Sequence, residues 1–370
     1  CWAWSLHRRE PRVRRVDMLI VHASDVHLDS PLRGLPEYPE SPPLEAFRLA
    51  TRRALTELVT LCIREQASLL LLAGDLVDAS GRDHKTGLFF VEEMLRLREA
   101  GIPVFSIRGN HDAASRVIQS LLLPDNVKEF SLAHAETVTL DSLGVAVHGR
   151  SYEEREALES FLPGYPPPVP GLLNFGVLHT SAEGRVGHDP YAPCTRRALR
   201  NHGYDYFALG HVHTREVLSE TPWVVFSGNL QGRSIRESGP KGATLVTIDG
   251  GRVARVEHRA LDVVRFGACR VGVADARTLD EIAERSHREL TLRARAAGAR
   301  ALAVRLLLQG EGGIGELLSH PAAHRIAALR RAVAEVRGAS IWLEGIWGEL
   351  HRELGGAMPL GGQTEDCEPV

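Results

Sequence analysis

Leu69-Leu70-Leu71-Leu72-Ala73-Gly74-Asp75-Leu76-Val77-Asp78 is the stretch on which the reading of this chain turns. An apolar run with no polar alternation fits a parallel strand covered on both faces. It delivers Asp75 to the end of a buried strand. A carboxylate there needs a partner, because an unpaired buried charge is costly. A metal ion is the simplest one. The pattern of an apolar run followed by Asp, Asn or His recurs at four other places. Leu19-Ile20-Val21 precedes Asp25 and His27, and Val104-Phe105 precedes Asn110, His111 and Asp112. Phe175 to Leu178 precedes His179, and Phe207-Ala208-Leu209 precedes His211 and His213.

The 370 residues suffice for one large domain and a smaller one. Hydrophobic content of 44% and charged content of 25% mark an ordinary globular chain and exclude a disordered one. A net charge of -3 gives no whole-chain sign of nucleic-acid binding. The 44 basic residues, all arginine except Lys85, Lys128 and Lys241, leave room for a local basic groove. The five cysteines (Cys1, Cys62, Cys194, Cys269 and Cys367) form no CxxC pair, which argues against a disulfide framework or zinc ribbon and fits a reducing cytoplasm. No apolar run is long enough for a bilayer span. Residues 1–17 are Arg-rich without the apolar centre of a signal peptide, and read as a disordered extension ahead of Met18.

Strand, helix, strand, helix, strand is the expected order from Met18 to Ile107, a parallel sheet with right-handed crossovers. Short strands at 136–140, 144–149, 172–178, 205–209, 214–218, 222–226, 242–248 and 252–258 suggest a second sheet packed on the first. From Leu261 the order becomes strand, helix (279–296), strand (301–308), helix (322–336), strand (340–343). The expected division is therefore a first domain over 18–260, a capping α/β domain over 261–345, and a short helix at 346–354 followed by a disordered, Gly-rich and acidic tail.

Taken singly, each polar candidate carries little. D-x-H and H-x-H occur by chance in chains of this length. A lone His179 reads first as a hydrogen-bonded core histidine, Asp78 as a turn or cap residue, and Asp112 as a helix cap. Their shared context changes this. Ligands of open α/β sheets collect outside the carboxyl ends of strands. Residues two apart on an extended chain face one side, so Asp25-x-His27 and His211-x-His213 can each aim two side chains at one site. Mixed Asp, His and Asn donors suit Mn, Fe or Zn better than an all-oxygen calcium site.

Asp25-x-His27, Gly74-Asp75-x-x-Asp78, Gly109-Asn110-His111-Asp112, His179 and Gly210-His211-x-His213, in this order, resemble the five motifs of calcineurin-like metallophosphoesterases. The resemblance covers about residues 18–260. Asp25-Val26-His27-Leu28-Asp29-Ser30-Pro31-Leu32-Arg33-Gly34-Leu35 and Gly228-Asn229-Leu230-Gln231-Gly232-Arg233 are similar to the DNA repair exonuclease branch of SbcD and YhaO type. It implies an α/β fold, a four-layer α-β-β-α sandwich of two packed mixed sheets. It implies two divalent metal ions, manganese first, with iron, zinc or magnesium as alternatives. Asp25, His27 and His213 would hold one ion, Asn110, His179 and His211 the other, and Asp75 would bridge them. A hydroxide activated by the ions would attack the phosphodiester, with His111 as general acid oriented by Asp78. DNA, an SbcC-like coiled-coil ATPase and a second copy of the chain are the implied partners. Residue 78 is Asp where purple acid phosphatases have Tyr, so that branch is not resembled.

Arg33, Arg108, Arg233 and Arg236 could meet DNA phosphates; exposed salt bridges explain them as well. His84 reads as a solvated loop residue or one that reaches substrate. Trp342 and Trp347 read as packing residues, and His148, His188 and His202 carry no special reading. Two other functions share the metal motifs: a small-molecule phosphoesterase acting on cyclic nucleotides or phosphomonoesters, and a non-catalytic scaffold for the ATPase.

Overall fold

The computed structural model describes residues 17–36, 45–78, 84–115, 117, 121–182, 191–349 and 357–359. The extension before Asp17, His188 and the tail beyond 359 lie outside the described residues. The chain divides into two compact units. One holds the residues up to Leu28, Leu55–Leu230 and Gly242–Ala260; the other holds Asp29–Ala54, Gln231–Lys241 and the chain from Leu261.

The first unit is built on two six-stranded sheets. In one, β1 (Met18–Ala23), β2 (Leu69–Ala73), β3 (Val104–Ile107) and β4 (Val127–Glu129) run parallel. In the other, β5 (Glu136–Leu140) pairs antiparallel with β6 (Val145–Gly149), which begins a parallel run through β7 (Leu173–His179), β8 (Tyr206–Gly210) and β10 (Trp223–Phe226). The hairpin strand β9 (Glu216–Glu220) closes that sheet beyond β10. β11 (Gly242–Asp249) returns to pair antiparallel with β1, and β12 (Arg252–Ala260) pairs antiparallel with β11. β4 was not legible in sequence, since Val127-Lys128-Glu129 is too short and too polar to show a period.

β2 sits at the centre of the first sheet, and both of its faces are buried. Leu69, Leu71 and Ala73 pack with Phe175, Val177, Tyr206 and Ala208 of the second sheet. Leu70 and Leu72 point to the other side and are equally buried. That is why the run shows no alternation. The helices Ala50–Arg64 and His84–Glu99 lie side by side, tied by Thr56 Oγ1 donating to Glu93 at 2.7 Å.

A buried polar contact crosses between the sheets. His22 of β1 has its Nδ1 3.0 Å from the Tyr206 hydroxyl of β8, in an edge-on ring contact.

The second unit carries a sheet of β13 (Val264–Gly272), β14 (Ala301–Gln309), β15 (Ile341–Glu349) and β16 (Ala357–Pro359), the first three parallel. The helices Leu279–Ala297, Glu311–Ser319 and Ala322–Ala334 accompany it. Trp342 is fully buried, packs on Phe47 and donates its Nε1–H to the Pro36 carbonyl at 3.0 Å. The helix expected at 346–354 is corrected over 346–349, where Ile346 to Glu349 continue β15, paired to Leu306–Gln309; 350–354 lie outside the described residues. A parallel partner supplies the hydrogen bonds that a short, Gly-interrupted segment could not make as a helix. Residues 357–359, expected in the tail, form β16.

Burial pushes the His22 imidazole down to about 3, so the fold holds it neutral. The unfolded chain then binds a proton that the folded chain refuses. His22's contribution is complete above the unfolded value of 6.5 and is lost progressively down to about 3. His22→Gln should flatten the acid limb of the stability curve by on the order of 4 kcal/mol at most. Urea midpoints measured from pH 7 to 4 check this; parallel curves for the two proteins would refute it.

Candidate metal centre

The carboxyl ends of β1, β2, β3, β7 and β8 collect the polar residues that the sequence singled out. Asp25 and His27 follow β1, Asp75 and Asp78 follow β2, and Asn110 opens the short helix Asn110–Ala114 after β3. His179 is the last residue of β7 and pairs in register with Gly210, immediately before His211.

The loops do not continue the extended geometry on which the D-x-H argument rested. Asp25, His27, Asp75 and His211 have φ of 50°, 43°, 54° and 97°, in the left-handed region that non-glycine residues avoid. Each such residue costs of order 1 kcal/mol or more and persists where the surroundings enforce it. The enforcement is visible: Asp25 N–H donates to Gly74 O at 2.9 Å and His27 N–H to Asp75 O at 3.0 Å. The two loops are thereby laced together, and side chains converge through turns.

Asp75 is the hub. Its Oδ2 lies 3.5 Å from His179 Nε2, 3.9 Å from His27 Nε2 and 4.0 Å from His111 Nε2. Its Oδ1 accepts the His111 backbone N–H at 2.9 Å. Asn110 Oδ1 is 3.0 Å from His179 Nε2, and His27 Nε2 is 3.1 Å from His213 Nε2. Asp25 Oδ1 lies 3.7 Å from His213 Nε2. The rings of His179 and His211 stand 5.2 Å apart. Asp25, Asp75, Asn110, His27, His179 and His211 are all buried. Asp25–His27–His213 and Asp25–Asp75–His179 each bring three ligand atoms within 4.8 Å of one another.

This donor set fits divalent cations. Two carboxylates withdrawn from water face nitrogen and amide-oxygen donors. The electrostatics say the same: burial opposes charge on His179, but Asp75 and Asp25 outweigh it and raise the ring to about 9. Asp75 is held well below the usual carboxylate range in spite of its burial, chiefly by His179 and His27. Such a pocket draws positive charge, from a proton or from a metal ion.

Asp78 serves two rings at once. Its Oδ1 is 2.6 Å from His27 Nδ1 and 3.2 Å from His111 Nδ1. One carboxylate oxygen accepting from both Nδ1–H groups leaves both Nε2 atoms facing inward. His27–Asp78–His111 also has metal-like spacing, but these hydrogen bonds occupy it. His111 is about one-third exposed, more than the other rings of the centre, so it reaches furthest outward.

The remaining candidates are not gathered. Arg108 sits one residue before Gly109, yet its guanidinium is held by Glu129 at 2.7 Å. Arg233, in the second unit, is held by Glu237 at 3.0 Å, and Arg33, in the same unit, is exposed. His84 is exposed at the start of its helix.

Sequence reasoning undervalued Asp112. Its side chain caps its own helix by accepting Gly109 N–H at 3.0 Å, but its other oxygen accepts Leu76 N–H and Val77 N–H at 2.8 and 2.9 Å. It clamps the β2 and β3 loops to each other. The glycines before the ligand-type residues have a steric reason. A Cβ on Gly109 would stand 2.2 Å from Asp75 Oδ1, and one on Gly210 would stand 2.0 Å from Ala73 O.

A family model described as calcineurin-like phosphoesterase matches residues 18–215, and one described as the middle domain of metallophosphoesterase YhaO matches 266–351. The chain is similar to the uncharacterized metallophosphoesterase YhaO of Bacillus subtilis (strain 168), 36% identical over 298 residues, 80% of this chain and 72% of that one. It is more distantly similar to the DNA double-strand break repair protein Mre11 of Sulfurisphaera tokodaii, 26% identical over 62% of this chain and 60% of that one. For Mre11 of Methanopyrus kandleri the figures are 25% identity, 53% of this chain and 44% of that one. The chain thus spans less than two thirds of either Mre11.

Removing Asp112 strands three backbone N–H groups in the interior. Asp112→Ala should cost about 3 kcal/mol or more, and Asp112→Asn, which keeps an acceptor, about half as much. Urea unfolding of the metal-depleted proteins measures both, and an unchanged midpoint for Asp112→Ala would remove the clamp from this account.

Proposed function

The chain belongs to the calcineurin-like phosphoesterases, and from that premise we propose that it hydrolyses phosphodiester bonds in DNA as a metal-dependent repair exonuclease. The observation that carries the hydrolytic reading is the convergence of Asp25, His27, Asn110, His179 and His213 on Asp75. The preference for DNA is supported by the likeness to proteins named for double-strand break repair.

Asp25, His27 and His213 would hold one divalent ion and Asn110, His179 and His211 a second, with Asp75 as a further ligand. When bound, the ions, manganese first, would supply Lewis acidity at the phosphate oxygens and lower the pKa of an attacking water. The water gives up one proton to solvent, its oxygen bonds to phosphorus as the bond to the leaving oxygen breaks, and that oxygen needs a proton. His111 supplies it from Nε2. Burial opposes the imidazolium, but the hydrogen bond to Asp78 and the charges of Asp75 and Asp78 outweigh it and raise His111 above the ordinary histidine range. The shift favours the protonated ring that a general acid requires. Asp78 holds Nδ1, which keeps Nε2 aimed at the pocket. An SbcC-like ATPase and a second copy of the chain remain the partners this reading implies.

With Mn²⁺, purified protein should release nucleotides from the ends of labelled DNA. His111→Ala should lower turnover about 10²- to 10⁴-fold while both ions stay bound, and Asp75→Asn should lose metal. Hydrolysis of a cyclic nucleotide or chromogenic diester with no action on DNA would replace the DNA reading by the small-molecule one. Full activity in His111→Ala would remove the acid assignment.

A further inference from the structure

Beneath Asp25 lie two buried hydroxyls that the proposed chemistry does not use. Ser24 Oγ donates to Asp25 Oδ2 at 2.5 Å, and Ser24 Oγ and Ser227 Oγ are 2.7 Å apart. Ser24 is fully buried and Ser227 nearly so, so water does not compete for either. Each hydroxyl has one proton. The acceptors within reach are Asp25 Oδ2, Gly228 O, at 3.3 Å from Ser24 and 3.2 Å from Ser227, and the other serine. The two shortest contacts form one chain: Ser227 O–H to Ser24 Oγ, then Ser24 O–H to Asp25 Oδ2. A bond to a charged acceptor is also the strongest available.

We propose that Ser227 and Ser24 are positioning residues that fix how Asp25 presents itself to one of the two cations. Asp25 Oδ2 accepts from Ser24 and from His211 N–H, whereas Oδ1 receives the same N–H at 3.1 Å and lies beside His213 Nε2. The serine chain therefore occupies Oδ2 and leaves Oδ1 for the ion at the His27–His213 side. Asp25 needs such a tether, because its own backbone is in the left-handed region at φ 50°. Ser24 lies at the end of β1, and Ser227 lies at the end of β10 in the other sheet of the same unit. The chain thus couples the ligand to the packing of the two sheets. Asp75 Oδ1, by contrast, accepts a backbone N–H.

This inference rests on the dinuclear reading above, and the test separates the two. Metal-depleted protein is titrated with Mn²⁺ by calorimetry, and the loaded protein is examined by electron paramagnetic resonance. The natural protein should bind two ions with a spin-coupled signal. Ser227→Ala and Ser24→Ala should bind one ion about 10- to 100-fold more weakly and, at limiting Mn²⁺, show the six-line signal of isolated ions. Ser227→Thr, which keeps the hydroxyl, should recover the coupled signal. Tyr165→Phe, which deletes a buried hydroxyl bonded to Val177 O, should bind both ions as the natural protein does. Normal two-ion binding by both alanine variants would overturn the inference alone. Failure of the natural protein to bind any ion would overturn the dinuclear reading and this inference with it. Equal weakening in Tyr165→Phe would reduce the serines to general stability and overturn their positioning role.

Discussion

Two carboxylates removed from water, Asp25 and Asp75, set the terms for everything around them. A buried anion is expensive unless positive charge or several hydrogen-bond donors meet it. Among the described residues, the groups that meet them are imidazoles, backbone N–H groups and Ser24. Imidazoles can supply charge by taking a proton, as His179 is disposed to do. They can equally turn their lone pairs to a metal ion. The same cluster is thus built to hold positive charge, as protons when metal-free or as metal ions, and its left-handed loops are held by the hydrogen bonds that lace them together.

The sheets were legible because their burial is extreme. Leu69 to Leu72 show no alternation since both faces of β2 are covered, one by the second sheet. The site residues were legible for a related reason: a polar residue at the end of such a run stands out against it. What sequence could not show is how the strand ends turn. The extended D-x-H geometry gave the right convergence through the wrong backbone, because left-handed φ at Asp25 and His27 depends on partners in another loop. Asp112 was misjudged for the same cause. Its local role as a helix cap is written in its spacing to Gly109, while its bonds to Leu76 and Val77 span more than thirty positions. The serines were invisible, since Ser24 and Ser227 are 203 residues apart and carry no motif of their own.

The second unit shows the opposite failure. Ile346 to Glu349 were assigned to a helix because Trp, Gly and Glu at that point offer no strong strand pattern. Pairing with β14 decides the outcome, and pairing partners lie outside any local window. Helix Glu311–Ser319 was likewise hidden by three glycines, Gly312, Gly313 and Gly315, which lower intrinsic helix propensity. In each case tertiary context overrode a weak local preference.

A metal centre of this kind recognises a phosphate, and a phosphate does not distinguish DNA from a small ester. Selectivity must then come from groups that the centre does not contain. The arginines nearest to hand in the sequence are already engaged: Arg108 with Glu129, and Arg233 with Glu237 through both its backbone and its side chain. These pairs are only partly exposed, at 15% and 23% for the first and 17% and 14% for the second, so neither guanidinium is a freely solvated cation waiting for a phosphate. For either to bind DNA it must exchange one anion for another, which yields little net affinity while both charges stay partly desolvated. Neither arginine, held as it is, favours DNA over a small ester.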